Sequence, residues 1–87
     1  MPRVFIPAAI RPLTNGQDVV EVAGHNVGMV IRNLDKQFPG IKNRLCNGED
    51  LRPGLSVAIG GSISSLGLHQ GVETNAEIHF LPAIGGG

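Results

Sequence analysis

A single amphipathic stripe in the middle of the chain narrows the folds that the sequence can adopt. The stripe follows the i, i+3, i+4, i+7, i+11 spacing of one helical face, and its members are Val27, Val30, Ile31, Leu34 and Phe38. Asn26 is suited to the N-cap, and Pro39 ends the helix because it disfavours helical geometry at the preceding residue. One helix of this length cannot enclose a core by itself, so the stripe must pack against another layer.

Short segments on both sides of the helix supply that layer. They are predicted to form strands at 3–8, 17–23, 55–59, 62–64 and 76–81. The pairs Asn15-Gly16 and Gly60-Gly61 predict hairpin turns. Residues 41–54 and 65–74 are predicted to be loops, apart from a short helical turn at the start of the first. This order of elements predicts an α+β fold, with one main helix on one face of a mixed sheet.

Alternation within the strands predicts which side chains face the helix. The inward positions are Val20, Val22, Leu55, Val57, Ile59, Ile78 and Phe80. Glu77 and His79 are expected to face outward. The core is therefore expected to lie between the sheet and the helical stripe.

Length and charge exclude several classes of protein. Eighty-seven residues make one domain with a small core and little room for a deep active site. Seven basic and seven acidic residues cancel, so the chain lacks the electrostatic footprint of a nucleic-acid binder. No apolar run is long enough for a signal peptide or a membrane span, and Cys46 alone cannot form an internal disulfide. We therefore expect a cytoplasmic protein with no nucleic-acid or membrane partner.

No group of residues has the spacing of a catalytic or metal site. His25, His69 and His79 lie far apart and outside any metal-ligand motif. Cys46 has no base beside it in the sequence, which indicates a partly buried structural thiol. The stretch GGSISSLG lacks the lysine of a phosphate loop. The sequence therefore predicts no metal, no bound cofactor and no catalytic residue.

The final stretch, LPAIGGG, is the part of the chain that a fold does not require. Glycine loses more backbone entropy on ordering than any other residue, so three in succession add nothing to a folded terminus. Extended residues reach about 3.3–3.6 Å each, so residues 82–87 would span roughly 20 Å. Such a run fits a narrow channel in another protein and presents the carboxylate of Gly87. We predict a folded domain over 1–81 and a flexible tail over 82–87.

Three segments resemble the ubiquitin-like sulfur carriers of the MoaD/ThiS family. RVFIPAAIRPLTNGQ is similar to the first hairpin of the carriers nearest the cysteine-biosynthesis branch, and VGMVIRNLDKQFPGIKNRL to the family's helix and following turn. IHFLPAIGGG resembles the closing strand and stem before the family's Gly-Gly end. The similarity extends from end to end. It implies a β-grasp fold, in which a mixed sheet of four to five strands packs on one main helix.

The resemblance also implies a function. In that family a MoeB/ThiF-like activating enzyme uses ATP and Mg to adenylate the last glycine, and a persulfide or sulfide donor converts it to a thiocarboxylate. An acceptor synthase then passes the sulfur to a cysteine, molybdopterin or thiamin precursor. The chain would be a protein cosubstrate, not an enzyme, with no cofactor of its own. Carried over by position, Gly86 and Gly87 form the adenylation and thiocarboxylate site. The residues expected to dock on partners are Phe80, Leu81, Pro82, Ile84 and Gly85.

The chain departs from the family pattern in two places. Three glycines stand where the family usually has two, so the working end is either Gly87 or, after a tail-trimming metallopeptidase removes Gly87, Gly86. ETNAE stands where the family often has Gly-Asp before the last strand. Three alternatives remain open: a ubiquitin-like modifier conjugated to lysines, the small subunit of a molybdopterin-synthase-like complex, and an adaptor domain with an idle tail.

Overall fold

Seven strands and two α-helices follow one another along residues 1–82, the part of the chain that the computed structural model describes. The strands are β1 (Arg3–Phe5), β2 (Val19–Glu21), β3 (Cys46–Asn47), β4 (Asp50–Leu51), β5 (Leu55–Ile59), β6 (Ser62–Ser64) and β7 (Glu77–Pro82). The helices are α1 (Val27–Gln37) and α2 (Ile41–Leu45), with 3₁₀ helices at Ala8–Thr14 and Gly67–His69. The predicted α+β class is confirmed.

Helix α1 forms where the apolar stripe predicts it. Four stripe residues are at most 1% exposed, namely Val27, Val30, Ile31 and Leu34. The Asn26 side chain caps the helix, since its Oδ1 accepts a hydrogen bond from the backbone N–H of Met29 at 2.8 Å. Burying an aliphatic side chain of this size contributes roughly 1.5–3 kcal/mol. Helix α1 is therefore a main source of the core's stability.

Five strands form the sheet that shares this core, in the order β2-β1-β7-β5-β6. The central pair β1–β7 is parallel, and the other neighbours are antiparallel. Val4 lies opposite both Val20 and Ile78, and Phe80 lies opposite Val57, so inward side chains of adjacent strands pack side by side. One main helix on a mixed sheet with parallel central strands is the β-grasp arrangement that the resemblance implies.

The connection between β1 and β2 differs from the predicted tight turn. Strand β1 ends at Phe5 instead of residue 8, and Ala8–Thr14 form a 3₁₀ helix. This course turns Ile10 and Thr14 into the interior, where they are 6% and 0% exposed. The buried Thr14 hydroxyl lies 2.7 Å from the Gln17 carbonyl oxygen, to which it donates a hydrogen bond. Tertiary burial of these side chains thus overrides the local strand preference.

Two segments that were predicted to be loops contain ordered structure. Strands β3 and β4 pair with each other in a separate antiparallel ladder, with Cys46 opposite Leu51. The second segment contains the 3₁₀ helix Gly67–His69, and Leu68 and Val72 within it pack against the core. Strands of two residues are too short to show alternation, which is why the sequence pattern does not reveal them. The predicted short helical turn after Pro39 is confirmed as α2.

Candidate functional site

Strand β7 leads from the centre of the sheet toward the glycine-containing end of the chain. Its pairing with β1 ends at Phe5 opposite His79, whereas its pairing with β5 continues to Leu55 opposite Pro82. The difference arises because β1 stops at Phe5 and the chain turns away into the 3₁₀ helix. Beyond His79, strand β7 therefore pairs, among residues 1–82, with β5 alone.

The predicted docking residues on β7 have different environments. Phe80 is 6% exposed and packs in the core, so its side chain holds the strand in place and presents little surface to a partner. Leu81 is 36% exposed on the opposite face of the sheet. Pro82 is the last residue of β7, one position beyond the predicted domain boundary. The other predicted site residues lie outside the described part of the chain: Ile84, Gly85, Gly86 and Gly87.

The sheet face turned away from α1 carries a row of side chains that crosses all five strands. In the order β2-β1-β7-β5-β6, the register aligns Val19, Phe5, His79, Ala58 and Ile63, which we term the outer row. The rings of Phe5 and His79 stack, with centroids 4.2 Å apart and planes inclined by 13°. Ile63, at the end of the outer row, is 64% exposed. Leu81 lies on the same face, one step nearer the tail, so apolar surface borders the exit of β7.

Charged side chains border the outer row on the side away from the tail. Arg3 lies opposite Glu21 on β2 and Glu77 on β7, and its Nη2 donates a hydrogen bond to Glu77 Oε2 at 2.8 Å. These two side chains are 49% and 42% exposed, so the pair contributes only about 0–1 kcal/mol to stability. His79 Nε2 lies 3.6 Å from Glu77 Oε1. With two carboxylates and one guanidinium, this border of the outer row carries one net negative charge.

The remaining reactive side chains do not converge on a second site. His25 and His69 are exposed, and over residues 1–82 no three His, Cys, Asp or Glu side chains are grouped to hold a metal ion. Burial raises the pKa of the Cys46 thiol, and the charges of Lys42 and Arg52 oppose that rise only in part. The thiol is therefore protonated at neutral pH, as a structural cysteine requires. In the same part of the chain, no helix combines the length and apolarity of a membrane span.

Sequence reasoning missed the outer row because it gave no orientation to the apolar residues of the first strand or of the strand at 62–64. Phe5 and Ile63 face outward. A usable signal was present in RVFI, since Val4 and Ile6 occupy the core at alternate positions and leave Phe5 for the other face. For Ile63 the sequence offers no comparable signal, because its strand has only three residues.

Comparison with known sequences agrees with this geometry. A family model described as "ThiS family" matches residues 4–87. The sulfur carrier protein CysO of Mycobacterium tuberculosis (strain ATCC 25618 / H37Rv) is 30% identical over 100 aligned positions, which cover 97% of this chain and 96% of that protein. The CysO protein of Mycobacterium bovis matches to the same extent.

Solved structures extend the likeness to three dimensions. A chain of the Amycolatopsis orientalis BexX/CysO complex has a TM-score of 0.89 at 31% identity and covers 100% of both chains. Mycobacterium tuberculosis CysO has a TM-score of 0.87 at 28% identity, covering 97% of this chain and 100% of that one. The small archaeal modifier protein 1 of Methanosarcina acetivorans shares the fold, with a TM-score of 0.78 at 23% identity. The alignment covers 99% of this chain and 95% of that one. With a match to the family model that leaves out only the first three residues, this chain belongs to the ThiS family.

Proposed function

We propose that this chain is a sulfur carrier protein whose C-terminal glycine is adenylated and converted to a thiocarboxylate that donates sulfur in biosynthesis of the cysteine, molybdopterin or thiamin type. The observation that carries the proposal is the similarity, over 97% of the chain, to a protein named as a sulfur carrier. The course of β7 supports it, since the strand is anchored on β5 up to the residue that precedes the Ala-Ile-Gly-Gly-Gly end.

The chemistry explains why such an end is useful. A carboxylate is a poor electrophile, so its oxygen first attacks the α-phosphorus of ATP, which forms an acyl-adenylate and releases pyrophosphate while Mg²⁺ offsets the phosphate charge. Sulfide then attacks the acyl carbon and displaces AMP, which leaves a thiocarboxylate. A persulfide donor requires in addition a thiol that cleaves its S–S bond. ATP and Mg²⁺ belong to the activating enzyme, so the chain is a cosubstrate. Its glycines contribute an acyl group that no neighbouring side chain obstructs.

The outer row and Leu81 are our candidate docking surface for the activating enzyme. They lie on the face beside the exit of β7, where a partner that takes up the tail must come close to the sheet. The Phe5–His79 stack offers flat apolar area, and the border formed by Arg3, Glu21 and Glu77, with one net negative charge, complements a basic group on the partner. The crystallised complex of a similar chain with BexX supports a role in which this fold binds partner proteins.

Mass spectrometry of the intact protein tests the proposal. The chain is incubated with ATP, Mg²⁺, sulfide and a MoeB/ThiF-like activating enzyme from the same organism. We expect the C-terminal peptide to gain the mass difference between sulfur and oxygen. A variant that lacks Gly86 and Gly87 should remain unloaded while its circular dichroism is unchanged, because the helices, strands and core that the structure describes are formed by residues 1–82.

A variant that lacks only Gly87 identifies the working end. Loading of this variant but not of the full chain would assign the site to Gly86 and require a trimming peptidase before activation. Loading that survives removal of both glycines would refute the proposal. Lysine-linked conjugates of the chain in cell extract, in place of a thiocarboxylate, would favour the modifier function instead.

A further inference from the structure

The outer edge of β6 is open and carries no charge. Strand β6 is the last strand of the sheet, and within residues 1–82 it pairs only with β5. No Asp, Glu, Lys or Arg occurs between Arg52 and Glu73. Proteins usually protect an edge strand by keeping it short or with charges, proline or a bulge, because its free backbone groups otherwise pair with another chain. Strand β6 is short, with the three residues Ser62, Ile63 and Ser64, but it has no charge, no proline and no bulge, since its register with β5 is continuous.

The opposite edge of the same sheet differs in this respect. Strand β2 is preceded by Asp18 and ends at Glu21. Two copies brought together along that edge would place carboxylates close to one another, which is unfavourable. The contrast identifies β6 as the edge that can accept a further strand.

The hairpin geometry shows which backbone groups are available on β6. Ile59 and Ser62 flank a two-residue turn, and Gly60, at φ 61°, occupies the first turn position as a type II′ turn requires. The flanking pair of such a hairpin is hydrogen-bonded, and bonded and non-bonded pairs alternate from there. The N–H and C=O groups of Ile63 therefore point away from β5. The Ile63 side chain on this strand is 64% exposed, and Leu66, two residues after the strand ends, is 56% exposed.

We propose that β6 is a self-association edge, on which a second copy of this chain adds its own β6 in antiparallel register centred on Ile63. The two Ile63 residues exchange a pair of backbone hydrogen bonds across a two-fold axis, and their side chains lie next to each other on the same face. Ser62 of each copy lies opposite Ser64 of the other. The pairing is self-complementary because neither strand carries a charge that would repel its twin.

The resulting assembly is one continuous sheet in which the outer row of one copy meets the outer row of the other at Ile63. The contact involves one three-residue strand from each copy, which is below the size of stable interfaces. We therefore expect weak association, with a Kd of roughly 0.1–1 mM. Strand β7 is separated from β6 by β5, so the pairing leaves the end of β7 free.

Sedimentation velocity of the full chain alone tests this inference without ATP or a partner enzyme, so its outcome is independent of the proposed function. The weight-average sedimentation coefficient should rise between roughly 0.02 and 2 mM, a range that brackets the expected affinity. The variants Ile63→Lys and Ile63→Glu should each associate about tenfold more weakly, because like charges then face each other on the axis. An equimolar mixture of the two variants should associate again, because opposite charges then meet at the same position.

The control variant is Leu81→Lys, which adds the same charge on the outer face but away from the edge. Its self-association should match that of the unmodified chain. A sedimentation coefficient that stays constant with concentration would overturn the inference. An equimolar mixture of Ile63→Lys and Ile63→Glu that remains monomeric would also overturn the inference. Association that is lost in Leu81→Lys and kept in Ile63→Lys would overturn it too, because the contact would then lie on the face of the sheet instead of its edge.

Discussion

Replacement of Gly24 by alanine tests how closely the chain approaches α1 just before the helix begins. A Cβ atom at this position would lie 2.6 Å from Val30 Cγ2 and 2.8 Å from the Val30 backbone nitrogen. The nitrogen belongs to the helix and cannot rotate away, and the Val30 side chain is fully buried. To open the contact from 2.8 Å to an ordinary 3.4 Å, either α1 or the segment that precedes it must move.

The expected loss of stability follows from two contributions. Overpacking of a close-packed interior by one methyl group costs about 1–3 kcal/mol. Gly24 also has φ 156°, a backbone conformation that residues with a side chain rarely adopt, and such strain adds about 1 kcal/mol. The free energy of unfolding should therefore fall by about 2–4 kcal/mol. For a domain of this size, Tm should drop by roughly 10–25 °C.

Circular dichroism during thermal and urea unfolding is the suitable assay, since the chain contains no Trp or Tyr for fluorescence. Gly61→Ala is the matched control, because a Cβ there would meet nothing within 4 Å. Its effect should stay within about 0.5 kcal/mol. The reasoning would be refuted if Gly24→Ala unfolded within that same margin of the unmodified chain, or if both variants lost equal stability.

Two further predictions concern the docking face and the buried thiol. Leu81→Asp should lower kcat/KM for loading about tenfold, because apolar contact with the activating enzyme is lost. The control Asn43→Asp adds the same charge on α2 and should leave kcat/KM unchanged. Equal effects of the two variants would rule out docking on the outer face. Burial raises the pKa of Cys46 in the folded state above the ordinary thiol value of about 8.5–9, so its contribution to stability is fully present well below that value, where the folded and unfolded thiols are both protonated. The contribution declines as the pH rises through that value and the unfolded thiol ionises first. Urea midpoints between about pH 7 and pH 10 should fall less for Cys46→Ala than for the unmodified chain, and parallel decline in both would exclude this thiol as the cause.

The accuracy of the sequence predictions varied with the range over which each element is stabilised. Helix α1 agreed closely, because the cap at Asn26, the apolar stripe and the stop near Pro39 act within a few residues of one another. The segment that forms the 3₁₀ helix Ala8–Thr14 was predicted to be the end of a strand and a turn. The residues around Ile10 carry no sequence pattern that indicates its burial. Strands β3 and β4 were not predicted, because two residues each are too few to show the alternation typical of a strand.

The candidate site divides in the same way. The sequence alone predicts the apolar stem and the glycine run at the end of the chain, and it predicts that Phe80 faces inward on its strand. It does not predict the side of the sheet on which a partner can approach. That side depends on the alignment of Phe5, His79 and Ile63, which come from strands far apart in the chain.

The helix, the alternation that fills the core and the glycine-rich end can all be read from the sequence, because each is encoded by residues close together along the chain. The parallel pairing of β1 with β7, which brings residue 3 beside residue 77, appears only in the folded molecule. The same is true of the open edge of the sheet and of the side chains that form the outer row. These features arise from register between distant strands, and that register is set when all the inward side chains pack against α1 at once.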